Sequence, residues 1–297
     1  MAWGAGDFFG GLSTRIANVL TALLVIQAAG ALLTVALLLS SGESMPGATA
    51  LAWAAVAGLS GLVGLLCLYL ALSRGTMGLV APASALIAAA VPAMVGIVSG
   101  DRTGPLLLLG MLMALMAVVV ISLPERRGVP GLTEPLEAGA AAAGGSRAGE
   151  WLLVLFAGLG FASIYHCVDR AQQQGGGVWW DLTVVRLAAL SAAVVATLTL
   201  LAVRRAPSLR VTRNVLPLTL LAAVGDTGGN LFYIMARSAA GAAGTLSVTV
   251  VLASLFPVST VVLARVVLHE RLSRRRLAGV GLAVGAVALI GLGAAQA

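Results

Sequence analysis

Residues 19–40 read VLTALLVIQAAGALLTVALLLS, an uncharged and almost wholly apolar run. An α-helix rises about 1.5 Å per residue, so about 20 apolar residues span the hydrocarbon core of a bilayer. This run therefore predicts a transmembrane helix. Eight further runs of the chain have comparable length and hydrophobicity: 51–72, 77–99, 105–123, 151–170, 178–203, 214–236, 243–268 and 276–294.

The overall composition supports the same interpretation. The 297 residues are 60% hydrophobic and 10% charged, with a mean hydropathy of +1.03, whereas a soluble domain is about 25% charged. A soluble fold of this size cannot hide so much apolar surface from water. The net charge of +7 does not indicate nucleic acid, because the 18 basic residues are all Arg and most lie between apolar runs, as expected for loops on the cytoplasmic side.

The apolar runs fall into two groups of five. A tenth, shorter segment runs from Trp3 to about Arg15, and it is too short to span a bilayer alone. Residues 124–149 are rich in Gly, Pro, Ala and charge and are typical of a linker. The sequence thus predicts an all-α integral membrane protein of about ten transmembrane helices. Its units are a first five-helix repeat at 1–123, a linker at 124–149, and a second five-helix repeat at 150–297.

The two groups also resemble each other. Asp101-Arg102 and Glu270-Arg271 each precede a glycine, which lies nine residues after the acid and opens an apolar run. Because each repeat has an odd number of helices, the two must insert in opposite orientations. Inverted repeats are typical of secondary transporters with a midplane site. Three further pairs occupy matching positions: Gln27 and Arg186, Tyr69 and Tyr233, and Pro92 and Pro257.

Several motifs resemble a known family. Residues 3–11 (WGAGDFFGG), 226–233 (DTGGNLFY), 252–257 (LASLFP) and 268–273 (LHERLS) are similar to EamA-type members of the drug/metabolite transporter superfamily. The resemblance implies a ten-helix exporter of small metabolites or drugs with both termini cytoplasmic. The family's first helix extends further before the Trp-Gly pair than it does here. Its second helix often carries a basic residue, where this chain has Gln27.

Charged residues inside the apolar runs are the main candidates for function, because a charge at mid-membrane costs at least about 2.5–3.5 kcal/mol. Asp226 lies near the middle of its predicted helix, and Asn230 and Tyr233 follow on the same face. Arg237 continues this stripe toward the membrane surface. The stripe predicts a cavity wall that binds substrate or a proton; the alternative is an internally paired structural carboxylate.

The other candidates are more ambiguous. Asp7, beside Trp3, is either deep in the bilayer or a capping residue near its surface. Arg186 has three options: it snorkels to the interface, pairs with Asp226 or Asp7, or holds a substrate carboxylate. The sixth predicted helix adds Tyr165 and His166, where a hydrogen-bonded core histidine competes with a proton relay.

A few residues have simpler structural interpretations. Asp169-Arg170 ends the sixth helix and is expected at the interface. Pro92 and Pro257 predict paired helix kinks flanking a central cavity. Gly281 and Gly285 have a spacing that favours close helix packing within one molecule, with a homodimer as the alternative to a monomer.

Two observations disagree about the orientation of the protein in the membrane. The arginine-rich loops around 204–213 and 270–276 place both termini outside under the positive-inside rule. The family resemblance places both inside, and we follow the family.

The sequence therefore predicts a secondary transporter in the plasma membrane that exports small molecules by alternating access, with proton exchange as one form of coupling. The cavity wall is expected from the first, sixth, seventh and eighth helices. Its partners are a small-molecule substrate and the lipid bilayer, with no nucleic acid. No cofactor or metal is expected, since Cys67 and Cys167 lack ligand spacing. Alternatives are a membrane enzyme acting on a lipid-linked substrate, which needs loop acids or histidines that are scarce here, and a non-transporting scaffold.

Overall fold

A computed structural model of the chain describes residues 2–14, 16–74, 77–98, 104–122, 147–203, 213, 215–240, 246–267 and 273–294. These residues are almost entirely helical, and no strand occurs among them. The acidic pairs near 101 and 270, His269 and residues 124–146 of the expected linker lie outside the described residues. So do the side chains of Tyr69 and Pro257.

The helices follow the apolar runs closely. Their bounds are α1 Ala2–Thr14, α2 Val19–Ser41, α3 Ala48–Arg74, α4 Met77–Val98, α5 Pro105–Ser122, α6 Arg147–Gln173, α7 Val178–Ala202, α8 Leu216–Ala240, α9 Leu246–Ala253, α10 Phe256–Val267 and α11 Arg274–Ala294. Helix α6 begins inside the stretch expected to be linker.

Four of the described helices contain segments long and apolar enough to cross a membrane: Val19–Ser41, Ala48–Leu68, Trp151–Gln173 and Val178–Ala202. Many large apolar side chains on the bundle's outer surface are exposed, for example Leu32, Leu39 and Val98. An exterior of this kind suits lipid rather than water. The chain is a multi-pass membrane protein, while the total of ten crossings stays a prediction.

The two prolines at matching positions have different surroundings. Helix α9 ends at Ala253 and α10 begins at Phe256, so Pro257 lies in a first turn, where its missing N–H costs no helical hydrogen bond. Helix α4 continues through Pro92 to Val98. The apolar run 243–268 therefore forms two helices, whereas its counterpart, the run 77–99, forms one helix.

Glycines set the closest helix approaches in the bundle. Helix α1 packs on α8 at Gly6, where an added Cβ would lie 2.8 Å from the Asp226 backbone nitrogen. Helix α6 packs on α3 at Gly160, where an added Cβ would lie 2.7 Å from the Cα of Gly64. Of the pair expected to mediate packing, Gly285 faces Met113 of α5 but Gly281 faces open space. The expectation for Gly281 is thus wrong within the described residues.

The loop after α2 fixes the start of α7. The Glu43 carboxylate accepts hydrogen bonds from the backbone N–H groups of Trp179 and Trp180, both at 2.9 Å. These groups have no partner within their own helix, and a negative charge at a helix N-terminus is favourable. Gly177 leaves room for this carboxylate, because an added Cβ would lie 2.6 Å from the Glu43 Cδ. The first half of the chain thereby positions the helix that carries Arg186.

Candidate substrate site

The polar centre of the bundle is built around Arg186 of α7. Its side chain is only 2% exposed, yet it lies among apolar helices, where an unpaired charge is costly. Its Nη1 donates to the Asp226 carboxylate of α8 at 2.5 Å and to the Gln27 side-chain oxygen of α2 at 3.0 Å. Arg186 therefore pairs with Asp226 rather than snorkelling to the interface. Gln27 and Arg186, which occupy matching positions in the two groups of helices, touch each other.

Asp226 is the more accessible partner of this pair. Its side chain is 27% exposed and borders two small cavities. One is about 40 Å³, and its lining includes Gln27, Phe161, Arg186 and Asn230. The other is about 10 Å³ and has Asp7 on its wall, a size that suits about one water molecule. Neither cavity is large enough to hold a metabolite, so the helices must move apart before a substrate can bind.

Asp7 faces Asp226 across the smaller cavity. It is half-buried, and no described residue donates a hydrogen bond or forms an ion pair with it. Arg186 and Asp226 neutralise each other, so an ionised Asp7 is the uncompensated charge of this centre. Its place on a cavity wall agrees with the interior position expected as one alternative for this residue, while its depth in the bilayer stays a prediction.

An aromatic cluster closes the site on one side of Asp226. The Trp3 indole N–H donates to the Asn230 side-chain oxygen at 3.1 Å, and its ring centroid lies 5.7 Å from that of Tyr165 and 5.9 Å from that of Tyr233. The Tyr233 hydroxyl donates to the backbone carbonyl of Tyr165 at 3.1 Å. Both tyrosines are 4% exposed. Tyr233 of α8 therefore packs against α1 and α6, whereas Asn230 both accepts from Trp3 of α1 and lines the larger cavity.

Beyond the aromatic cluster lies a second ion pair. Arg237 of α8 donates to the Asp169 carboxylate of α6, and the two side chains are 4% and 5% exposed. The sequence predicts Asp169 at the membrane interface. Its carboxylate is enclosed between α6 and α8 rather than exposed, and its depth in the bilayer stays a prediction. Arg170 beside it is exposed.

The helices that line the larger cavity differ in part from those expected. Its wall comes from α2, α3, α6, α7 and α8, and α1 reaches only the smaller cavity through Gly6 and Asp7. Helix α3 approaches through Gly58 and Gly61, which have no charged neighbour in sequence to draw attention. His166 lies outside both cavities, 6.2 Å from Trp53 between ring centroids.

One pair of glycines has a spacing that is not among the predictions above. Gly225 and Gly229 on α8 have the same small-residue spacing as the pair in α11. Gly225 lies against Gly6, and Gly229 lies under the Trp3 ring. These two glycines seat α1 so that Asp7 faces Asp226. Among the described residues, no group of three His, Cys, Asp or Glu side chains is placed to hold a metal ion.

Comparisons with known proteins agree with this architecture. Residues 149–292 match the EamA-like transporter family. A solved structure titled only "Crystal structure of protein" superimposes with a TM-score of 0.69 at 19% identity, covering 98% of this chain and 95% of its own. That likeness shows the fold alone. No curated protein matches the chain.

The helical bundle and the family match suggest a multi-pass membrane transporter of the drug/metabolite superfamily. More particularly, the second half of the chain, residues 149–292, belongs to the EamA-like transporter family. The family expected from the sequence motifs is thereby confirmed.

Proposed function

We propose that this protein is a secondary transporter of the plasma membrane that exports small metabolites or drugs by alternating access. The observation that carries the proposal is the polar centre formed by Asp7, Gln27, Arg186 and Asp226, with Asn230 beside it, next to two cavities inside a largely apolar bundle. Such groups are costly within a membrane and are typical of substrate or ion pathways. They come from both halves of the chain, so motion of one half against the other would open the site.

Paired packing contacts support an inverted repeat of two five-helix units. If α1 to α3 correspond to α6 to α8, the contact of α1 with α8 corresponds to that of α6 with α3, and both are present. The contact of α2 with α8 corresponds to that of α7 with α3, and both are again present. Glycines mediate the first of these pairs on each side, at Gly6 and at Gly160. Two units that pack alike can rock about a shared centre.

Asp226 is our choice for the carboxylate that couples transport or binds substrate. It is a quarter exposed, whereas its partner Arg186 is enclosed, so a proton or ligand reaches the acid first. Asp7 faces the same small cavity. Two acids that face one enclosed cavity are typical of ion pathways through a membrane, which would suit proton exchange.

The transported solute can be found by comparing what cells release with and without the protein. We expect untargeted metabolite profiling to show at least one small solute enriched in the medium of cells that express the protein, compared with cells that carry the empty vector. That solute should then be moved by purified protein in proteoliposomes, and a pH gradient should change its flux. No enrichment and no flux would contradict the proposal and favour a non-transporting scaffold. Full pH-driven flux in the Asp226→Asn variant would contradict the coupling role of Asp226 but not the transport function.

A further inference from the structure

The guanidinium group of Arg186 has one edge in use and one edge without a partner. Nη1 donates to Asp226 and Gln27, while Nε and Nη2 are buried and have no hydrogen-bond partner among the described residues. Leaving buried N–H groups unpaired is costly. Nε–H and the adjacent N–H of Nη2 form the planar fork that binds a carboxylate through two parallel hydrogen bonds.

A third donor lies near this edge. The Thr227 hydroxyl oxygen is buried and also lacks a partner among the described residues. Gly30 of α2 separates the two groups: a Cβ added there would lie 2.8 Å from the Thr227 Oγ1 and 3.6 Å from the Arg186 Nε. These short distances show that α2 packs directly against both groups, so that a residue without a side chain is needed at Gly30.

The charge balance restricts what these donors can bind. Asp226 already compensates Arg186, so any added anion brings uncompensated charge into a buried centre, and a dianion such as a phosphate monoester brings more of it than a carboxylate does. One carboxylate adds a single charge and satisfies the fork and the hydroxyl together. The adjoining cavity is lined by Leu62, Leu65, Phe161 and Ile164, which suit an apolar body attached to that group.

We propose that the Nε–Nη2 edge of Arg186, together with the Thr227 hydroxyl over Gly30, binds the carboxylate group of the transported solute, so that the substrates are small monocarboxylates with an apolar body. This inference rests on the transport function proposed above and assigns it a substrate class. Arg186 binds the solute, and Gly30 is a positioning residue that lets α2 pack against Arg186 and Thr227.

Matched acids and amides test the inference by binding alone. The probes are benzoate and benzamide, phenylacetate and phenylacetamide, and hexanoate and hexanamide, titrated calorimetrically into the full chain in nanodiscs. Each pair has the same body and differs in the carboxylate. We expect at least one acid to bind about tenfold or more tightly than its amide, the loss expected for one charge-assisted hydrogen bond. Equal binding of acid and amide in all pairs, or no binding of any acid, would overturn the inference.

Three substitutions locate the binding group. Thr227→Val has nearly the same shape, and Thr219→Val on the same helix is its control, because the Thr219 hydroxyl already donates to backbone carbonyls. We expect the acid to lose affinity severalfold in Thr227→Val and to keep it in Thr219→Val. Gly30→Ala, whose methyl group would press on Thr227 and Arg186, and Arg186→Lys, which keeps the charge but not the fork, should each weaken acid binding about tenfold. Unchanged acid binding in Thr227→Val and Gly30→Ala would contradict the assignment.

This experiment separates failure of the substrate class from failure of the transport function. If profiling identifies exported solutes that carry no carboxylate, transport stands and the carboxylate site is wrong. If acids bind as expected but no solute crosses the membrane, the binding site stands and transport is wrong. The comparison of acid with amide on the unmodified protein does not depend on the folding of any variant.

Discussion

Helix α8 takes part in two arginine–aspartate pairs with different surroundings. Asp226 pairs with Arg186 of α7 beside two cavities, and its carboxylate is 27% exposed. Arg237 pairs with Asp169 of α6, and both side chains are at most 5% exposed. The two α8 residues lie about 16 Å apart along the helix axis. The same chemistry thus occurs once in an accessible site and once in a closed helix–helix contact.

The difference in access assigns the two pairs different roles. In the closed pair the two charges neutralise each other, and Gln173 also donates to Asp169 at 2.8 Å. Removal of one charged partner leaves the other charge buried and uncompensated. In the open pair, by contrast, Arg186 has unpaired donors and Asp226 faces a second acid. We therefore infer that the Asp169–Arg237 pair holds α6 against α8, whereas the Asp226–Arg186 pair serves the transported solute.

The largest expected effect on stability comes from breaking the closed pair. Arg237→Met should lower the free energy of unfolding by about 3–5 kcal/mol, because Asp169 remains charged in an apolar contact. The thermal midpoint of purified protein in detergent measures this loss. The double variant Asp169→Leu with Arg237→Met should recover part of it, since neither charge then remains. A single variant as stable as the unmodified protein would show that the pair does not hold the helices together.

A smaller loss is expected where α1 meets α8 beside the open pair. Gly6→Ala should cost about 1–3 kcal/mol, since the added methyl group presses on the α8 backbone at Asp226. Gly11→Ala is the matched control on the same helix, because nothing lies within 4 Å of an added Cβ there. The thermal midpoints of the two variants make the comparison, and equal values would mean that the close approach of α1 is not required.

The hydrogen bond that ties α1 to the open site should contribute less. Trp3→Phe removes the indole donor and should cost about 0.5–1.5 kcal/mol. A double-mutant cycle with Asn230→Ala isolates the coupling between the two side chains. We expect a coupling energy near the cost of the hydrogen bond, and a coupling energy of zero would exclude it.

The smallest effect is expected at Asp7. Asp7→Asn should leave the thermal midpoint unchanged or raise it, because no described partner is lost and repulsion from Asp226 is removed. In contrast, the pH dependence of flux should weaken if Asp7 shares the coupling proton. A stability loss as large as that of Arg237→Met would place Asp7 among the structural charges instead.

Much of this fold follows from the sequence because the membrane imposes a simple rule. Apolar runs of sufficient length form helices, and described helices such as α2 and α7 lie within two residues of the predicted bounds. The break between α9 and α10 is beyond that rule, since a proline within an apolar run is compatible with either a kinked helix or two helices. Helix α4, with Pro92 inside it, shows the other outcome.

The sequence predicts which residues belong to the candidate site but not which of them pair with each other. The sequence indicates Asp226 and Arg186 as site residues because a charged side chain in the middle of a membrane helix is costly and usually functional. Which acid Arg186 meets depends on how α7 and α8 pack, and that geometry has no local signal. The Asp169–Arg237 pair escapes prediction for the same reason: each residue lies near a helix end, where a charge usually reaches water. The hydrogen bond from Trp179 to Glu43 joins residues that are 136 positions apart, and the sequence carries no local signal for it either.

The most direct test of the different roles is flux per folded molecule in proteoliposomes, measured for Asp226→Asn and Asp169→Asn with a solute identified by metabolite profiling. Size-exclusion chromatography gives the amount of folded protein in each sample. We predict that Asp226→Asn folds but loses flux about tenfold or more, whereas Asp169→Asn yields less folded protein with nearly unchanged flux per molecule. Full flux in Asp226→Asn, together with loss of flux from well-folded Asp169→Asn, would contradict the account.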